Sequence, residues 1–61
     1  MTMEWALNRM PDDWRVVYVL KEVEGYPHEE IADLLGISQG ASSVRLHRAR
    51  RFLADRLRGR I

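Results

Sequence analysis

Residues 28–50, which read HEEIADLLGISQGASSVRLHRAR, decide the fold of this chain. A short amphipathic pattern leads into Leu35-Gly36-Ile37, and a longer arginine-rich pattern follows Ser38. Glycine adopts the left-handed conformation that ends a helix without a Cβ penalty. Serine accepts a hydrogen bond from an unpaired N–H at the start of the next helix. The stretch therefore predicts a helix-turn-helix, a motif whose second helix enters the major groove of duplex DNA.

The chain before this stretch is also predicted to be helical. Residues 3–9 predict a short helix that stops at Met10, because proline disfavours helical backbone in the residue before it. A second helix is expected from about Pro11 to Val23, ending near Gly25. The apolar run Val16–Leu20 is compatible with a buried strand on periodicity alone, but the length of the segment and its charged flanks favour a helix.

The helices of the motif itself have clear boundaries. Pro27 begins the third helix, whose apolar face is expected to consist of Ile31, Leu34 and Leu35. The fourth helix begins after Ser38 and is expected to extend to Leu57. Its apolar residues form one continuous stripe, namely Leu46, Ala49, Leu53 and Leu57. We therefore predict an all-α fold: a compact four-helix domain with a helix-turn-helix, and a single domain over residues 1–61.

Ser42 is the one polar residue that falls on the apolar stripe of the fourth helix. It lies one turn before Leu46, so we expect it to face the core and not the solvent. A buried serine on a helix can donate its hydroxyl to the carbonyl four residues earlier. The carbonyl of Ser38 is in reach of such a bond, so the buried hydroxyl need not be left without a partner.

The charge distribution suggests a polyanionic partner, although the net charge of the chain is only +1. Residues 1–44 contain three cations and eight carboxylates, a net charge of −5, whereas residues 45–61 contain seven arginines and only Asp55, a net charge of +6. Such a contrast between segments is typical of a nucleic-acid-binding surface. All seven cations are arginines, which favours bidentate contacts with phosphate or guanine.

Length and composition exclude several other classes of function. A domain of 61 residues buries only about 60% of its unfolded surface, too little to enclose a catalytic cleft. The chain contains no cysteine, which fits a reducing, cytoplasmic location. It has no apolar run near the roughly 20 residues that a membrane span needs, and its start lacks a signal-peptide pattern. We expect a cytoplasmic, non-enzymatic protein that does not associate with membranes.

Two short patterns resemble catalytic motifs but lack the context that the chemistry requires. Residues 36–40 match the G-x-S-x-G nucleophile elbow, yet that motif follows a strand of a large sheet, and here a helix precedes it. Residues 28–32 begin like the H-E-x-x-H zinc helix, but Ala32 occupies the position of the second histidine ligand. We therefore expect no catalytic residue, no metal site and no cofactor, and both His28 and His47 are expected at the surface.

The order and spacing of several motifs resemble the C-terminal domain, region four, of bacterial sigma factors of the extracytoplasmic-function type. The segments that carry the resemblance are Glu30-Ile31-Ala32, Leu35-Gly36-Ile37-Ser38 and Arg45-Leu46-His47-Arg48-Ala49-Arg50. Upstream, Ala6–Pro11 and Arg15–Leu20 extend it over nearly the whole chain. The resemblance implies recognition of the promoter -35 element. It also implies two protein partners, the β-subunit flap of the RNA polymerase core and an anti-sigma factor.

A helix that begins after Ser38 would present a defined set of residues to DNA. Outward-facing side chains are expected to reach base edges, with the Val44 methyl groups against a thymine methyl and Arg48 bidentate to a guanine. Arg45, Arg50 and Arg51 are expected to fix phosphates or to pair with Glu29 or Glu30. The predicted DNA-binding residues are Gln39, Ser43, Val44, Arg45, His47, Arg48, Arg50 and Arg51.

Two alternative functions remain open at this point. The helix-turn-helix effector domains of response regulators share the Glu-Ile-Ala and Ile-Ser pattern, although the Arg-Ala-Arg run followed by Leu53 favours a sigma factor. A protein-interaction module that is bound by an anti-sigma factor and no longer reads DNA is the second alternative. Ser42 and Ser43 favour this module, because the sigma resemblance predicts an apolar residue and a cation at these two positions. The arginine-rich end of the chain favours DNA binding. The sequence also leaves open whether the chain is an excised domain or a stand-alone protein.

Overall fold

The computed structural model describes residues 2–57, and within this range its regular elements are helical. Helix α1 spans Met3–Arg9, α2 spans Asp12–Tyr18, α3 spans His28–Leu35 and α4 spans Gln39–Leu57. A π-helical segment, Val19–Val23, continues α2 without interruption. The predicted all-α fold is confirmed, and the strand alternative for residues 16–20 is wrong.

The π-helical segment is the feature of the fold that the sequence did not predict. The N–H of Glu24 donates to the carbonyl of Val19 at 3.0 Å, which is the wider spacing of a π-turn. Gly25, with φ +82°, ends the segment. The wider turn lies beside α4, where the carboxylate of Glu22 accepts a hydrogen bond from Nε of Arg50 at 2.9 Å. Apolar periodicity over so short a run cannot separate π-helical from α-helical winding.

The turn between α3 and α4 has the predicted geometry. Gly36 adopts the left-handed conformation, with φ +68° and ψ +36°. The N–H of Ile37 then donates to the carbonyl of Ala32 at 3.0 Å, and the side chain of Ile37 is half-buried. Ser38 caps α4, since its Oγ accepts a hydrogen bond from the N–H of Ala41 at 3.0 Å. Together these bonds fix the angle at which α4 leaves the turn.

Substituting Gly36 and Gly40 separately should change stability in opposite directions. Gly36→Ala should lower the free energy of unfolding by about 1–2 kcal/mol, because an L side chain is strained in the left-handed region, although the space around it is open. Gly40→Ala should raise it by about 0.5–1 kcal/mol, since Gly40 lies inside α4 and a Cβ there would only meet Ser38 Oγ at 3.8 Å. Urea unfolding of both variants tests this turn; a stabilising Gly36→Ala would contradict it.

The core consists of two clusters that share α4. Ala6, Met10, Ala49 and Leu53 form the first cluster, which packs α1 against the second half of α4. Val17, Ile31 and Leu46 form the second cluster, which joins α2, α3 and the first half of α4. Half-buried Tyr18 contacts both clusters. The stripe predicted on α4 is therefore buried from Ser42 to Leu53, but Leu57 is exposed, because neither cluster extends to the end of the helix.

Over residues 2–57, no helix combines the length and the apolar character that crossing a bilayer requires.

Candidate nucleic-acid interface

Helix α4 buries one side in the core and exposes the opposite side. Its buried residues are Ser42, Leu46, Ala49 and Leu53. The 3.6-residue period of the helix places Val44, His47, Arg48 and Arg51 on the side away from this stripe, and all four are exposed. We call these four residues the outer strip. The second helix of the motif thus has a continuous face that is free of core contacts.

The remaining predicted DNA-binding residues lie on the flanks of α4. Gln39 and Ser43 are exposed on one flank, near the start of the helix, whereas Arg45 is half-buried on the other. Arg50 is exposed and follows the same flank as Ser43. The structure therefore brings half of the predicted set together on the outer strip and arranges the other half around its edges.

Arg50 has a different acidic partner from the one predicted. Its guanidinium donates from Nε to Oε2 of Glu22 at 2.9 Å and makes a second, shorter contact through Nη2 with the same oxygen. The prediction that Arg45, Arg50 or Arg51 pairs with Glu29 or Glu30 is wrong for Arg50, because the π-helical segment places Glu22 beside α4. The side chain of Arg50 is still 59% exposed, so this surface ion pair contributes little to stability.

An open groove lies between the outer strip and α2. Its volume is about 410 Å³, and it is lined by Trp14, His47, Arg48, Arg51, Phe52, Asp55 and Arg56. The rings of Trp14 and Phe52 meet edge to face with centroids 6.2 Å apart. The guanidinium carbon of Arg56 lies 3.8 Å from the centroid of Phe52, a cation–π contact that holds this charge at the wall of the groove.

Sequence reasoning did not select Trp14, Phe52 or Arg56 for the site. The four-residue spacing of Phe52 and Arg56 on one helix could have indicated their contact. The approach of Trp14 could not have been found in this way, because it depends on how α2 crosses α4.

The positive charge of α4 is mostly unneutralised within the described part of the chain. Residues 45–57 contain five arginines and one aspartate. The ion pairs that the structure shows across residues 2–57 are Arg15 with Asp12 and Arg50 with Glu22. Arg58 and Arg60, which contribute to the predicted basic segment, lie outside the described residues. The exposed side of α4 therefore carries a positive field that attracts a polyanion.

Ser42 occupies the predicted core position but has an unexpected hydrogen-bonding partner. Its side chain is fully buried, as predicted. Its Oγ lies 2.7 Å from Nδ1 of His28, the first residue of α3. The partner that the structure shows for this hydroxyl is thus a residue of α3, and the contact joins the two helices of the motif. His28 is half-buried and not a free surface residue, whereas His47 is exposed as expected.

Comparison with known proteins places this arrangement in a family. Residues 3–53 match the family described as "Sigma-70, region 4". The chain belongs to this family. The region 4 match covers α1 to α3 and most of α4, including every residue of the outer strip. The predicted resemblance to region four of extracytoplasmic-function sigma factors is thereby confirmed.

The similar proteins are bacterial sigma factors. The chain is 38% identical over 55 residues to the "ECF RNA polymerase sigma factor SigE" of Mycolicibacterium smegmatis, covering 90% of the chain and 21% of that protein. It is 44% identical over 52 residues to the "RNA polymerase sigma factor CarQ" of Myxococcus xanthus, covering 85% and 30%. It is 35% identical over 57 residues to the "ECF RNA polymerase sigma factor SigW" of Bacillus subtilis, covering 93% and 30%. This region 4 chain thus spans less than a third of each relative.

Proposed function

We propose that this region 4 domain binds double-stranded DNA, with α4 in the major groove, and recognises the promoter -35 element as part of a sigma factor. The observation that carries the proposal is the outer strip. It is an exposed, core-free face on the second helix of a helix-turn-helix, and it lies within a strongly basic segment. The first half of such a helix supplies the side chains that contact base edges.

The base contacts are assigned to the first half of α4 and to Arg48. Gln39, Ser43 and His47 carry hydrogen-bonding groups that can reach base edges. Val44 is 47% exposed, and its methyl groups offer an apolar contact to the methyl group of thymine. Arg48 has no carboxylate partner within residues 2–57, so its guanidinium is available for a bidentate contact with guanine.

The phosphate contacts are assigned to the arginines around the strip. Arg45 and Arg51 form no ion pair with another described residue, so they can bind phosphate without losing a partner. Arg50 would exchange the carboxylate of Glu22 for a phosphate oxygen. Contacts of this kind fix the register of a protein on the duplex and carry no sequence information themselves.

Two protein partners complete the proposed role in the cytoplasmic transcription apparatus. The relatives are named as RNA polymerase sigma factors, and we propose that this domain likewise contacts the RNA polymerase core at the β flap. An anti-sigma factor is the second proposed partner.

The salt dependence of DNA binding tests the proposal. Log affinity for a labelled duplex should fall with log salt concentration by about 0.9 for each phosphate that is neutralised. Arg51→Ala should reduce this slope by about 0.9. Arg9→Ala removes the same charge from α1, where Arg9 stacks on Trp5 at 4.5 Å, and should leave the slope unchanged. Absence of duplex binding at low salt, or a slope near zero, would overturn the proposed function.

A further inference from the structure

The contact between His28 and Ser42 is the one side-chain hydrogen bond of the described residues that joins α3 to α4. His28 is the first residue of α3, and Ser42 lies in the first turns of α4. The two residues are 14 positions apart, and the distance between Nδ1 and Oγ is 2.7 Å. The bond therefore crosses the interior of the helix-turn-helix on the side opposite the outer strip.

Burial makes the hydroxyl of Ser42 depend on this bond, and the bond restricts the geometry of the two helices. Ser42 is 0% exposed, so water does not reach its hydroxyl, and a buried hydroxyl without a partner is costly. Nδ1 of His28 is a hydrogen-bonding partner in either ring tautomer: the unprotonated nitrogen accepts from the hydroxyl, whereas the protonated nitrogen donates to the hydroxyl oxygen and leaves the O–H to donate to another acceptor. An apolar pair at this position would tolerate sliding, whereas a hydrogen bond restricts both distance and angle.

The position of the bond connects it to the surface assigned to DNA. Ser42 immediately precedes Ser43 and Val44, which are exposed. A rotation or shift of α4 against α3 that lengthens the bond must also move these residues and the outer strip. The capped turn at Gly36 and Ser38 fixes where α4 begins, and the His28–Ser42 bond adds a second point of attachment one turn later.

We propose that His28 and Ser42 form a positioning pair that sets the rotation of the recognition helix and thereby sharpens the sequence preference of the domain. The proposal rests on the proposed DNA-binding function. His28 acts through Ser42 and touches no base itself. Its loss should reduce the preference for one sequence over another, while the affinity that phosphate contacts provide is retained.

The experiment compares His28→Phe, Ser42→Ala, the double variant and His28→Asn. Phenylalanine keeps the ring shape without the nitrogen, and asparagine places a hydrogen-bonding atom near the position of Nδ1. Urea unfolding without DNA gives the coupling between the two residues as a double-mutant cycle. Affinities for a duplex enriched from a random pool by the wild-type protein, and for a scrambled duplex, are then measured well below the unfolding transition. Leu34→Ala, an exposed change on α3, is the control.

The expected coupling is about a fivefold change in the folding equilibrium constant, as one buried hydrogen bond provides. His28→Phe and Ser42→Ala should each lower the ratio of preferred to scrambled affinity by about three- to tenfold, with affinity for the scrambled duplex within about twofold of wild type. His28→Asn should keep most of the wild-type ratio of preferred to scrambled affinity, because asparagine retains a hydrogen-bonding atom. A merely structural role would lower both affinities together through partial unfolding, so an equal loss on both duplexes would overturn the proposal.

Other outcomes separate the positioning pair from the proposed function. Two results overturn the positioning pair and leave the proposed function intact, provided that the wild-type protein binds DNA. One is a coupling near zero, and the other is a preference ratio in the His28 and Ser42 variants that equals the wild-type ratio. Failure of the wild-type protein to bind any duplex overturns the proposed function and the positioning role together. In that case the coupling measured without DNA still shows whether the two side chains stabilise each other.

Discussion

Ile31→Ala should lower the free energy of unfolding by about 2–5 kcal/mol. Ile31 is fully buried and packs with Val17 and Leu46 in the cluster that joins α2, α3 and α4. Alanine would remove three carbon atoms from a site that the surrounding helices can only partly refill. At about 0.05–0.15 kcal/mol per residue, a chain of 61 residues is stable by only about 3–9 kcal/mol. The variant should therefore lose a large fraction of its stability.

Urea unfolding, followed by the helical circular dichroism signal, measures this loss. Leu34→Ala is the matched control, because Leu34 lies on the same helix but is 62% exposed, and surface changes of this kind usually stay within about 0.5 kcal/mol. Similar losses in the two variants would mean that α3 does not pack through Ile31, and the arrangement of the second cluster would be wrong.

Arg48→Ala should weaken binding to a preferred duplex by about 1–3 kcal/mol, the usual contribution of a bidentate contact with guanine. Arg48 belongs to the outer strip and lines the groove beside α2. No carboxylate within residues 2–57 forms an ion pair with it, so the substitution breaks no described salt bridge and stability should hardly change. Its effect should therefore appear in DNA binding, and it should relax the preference at one base pair.

Competition between preferred and scrambled duplexes distinguishes this role from phosphate binding. Arg51→Ala should weaken binding to both duplexes to a similar degree, because a phosphate contact does not depend on sequence. Arg9→Ala should affect neither, since Arg9 lies on α1 and stacks on Trp5. If Arg48→Ala weakens binding to the two duplexes equally, Arg48 binds phosphate and the guanine contact must be assigned to another residue.

Local sequence signals were sufficient to predict the helices and the turn between α3 and α4. The left-handed Gly36 and the Ser38 cap each depend on residues only a few positions apart, so their chemistry can be read directly along the chain. The burial of Ser42 followed from helical periodicity in the same way. Helical periodicity likewise predicted that the outer strip, which is half of the candidate site, is exposed.

Contacts between distant residues could not be predicted from these signals. Glu22 and Arg50 are 28 positions apart and meet only because a π-helical segment lies beside α4. His28 and Ser42 meet across the crossing of two helices. Periodicity indicates which side of a helix faces inward, but not which residue of the neighbouring helix it meets. The partner predicted for Arg50 was wrong, and the contact of Ser42 with His28 was not foreseen, because crossing geometry, and not local spacing, selects these contacts.

The division of α4 into a buried stripe and an outer strip has a consequence for how this domain can change during evolution. Both core clusters depend on the buried stripe, whereas no described core contact depends on Val44, His47 or Arg51. Substitutions on the outer strip can therefore accumulate with little penalty to folding, and under the proposed function they alter which base pairs are favoured. A lineage that carries this scaffold could acquire a new target sequence in single steps, each through a stable intermediate, and a designer could follow the same route.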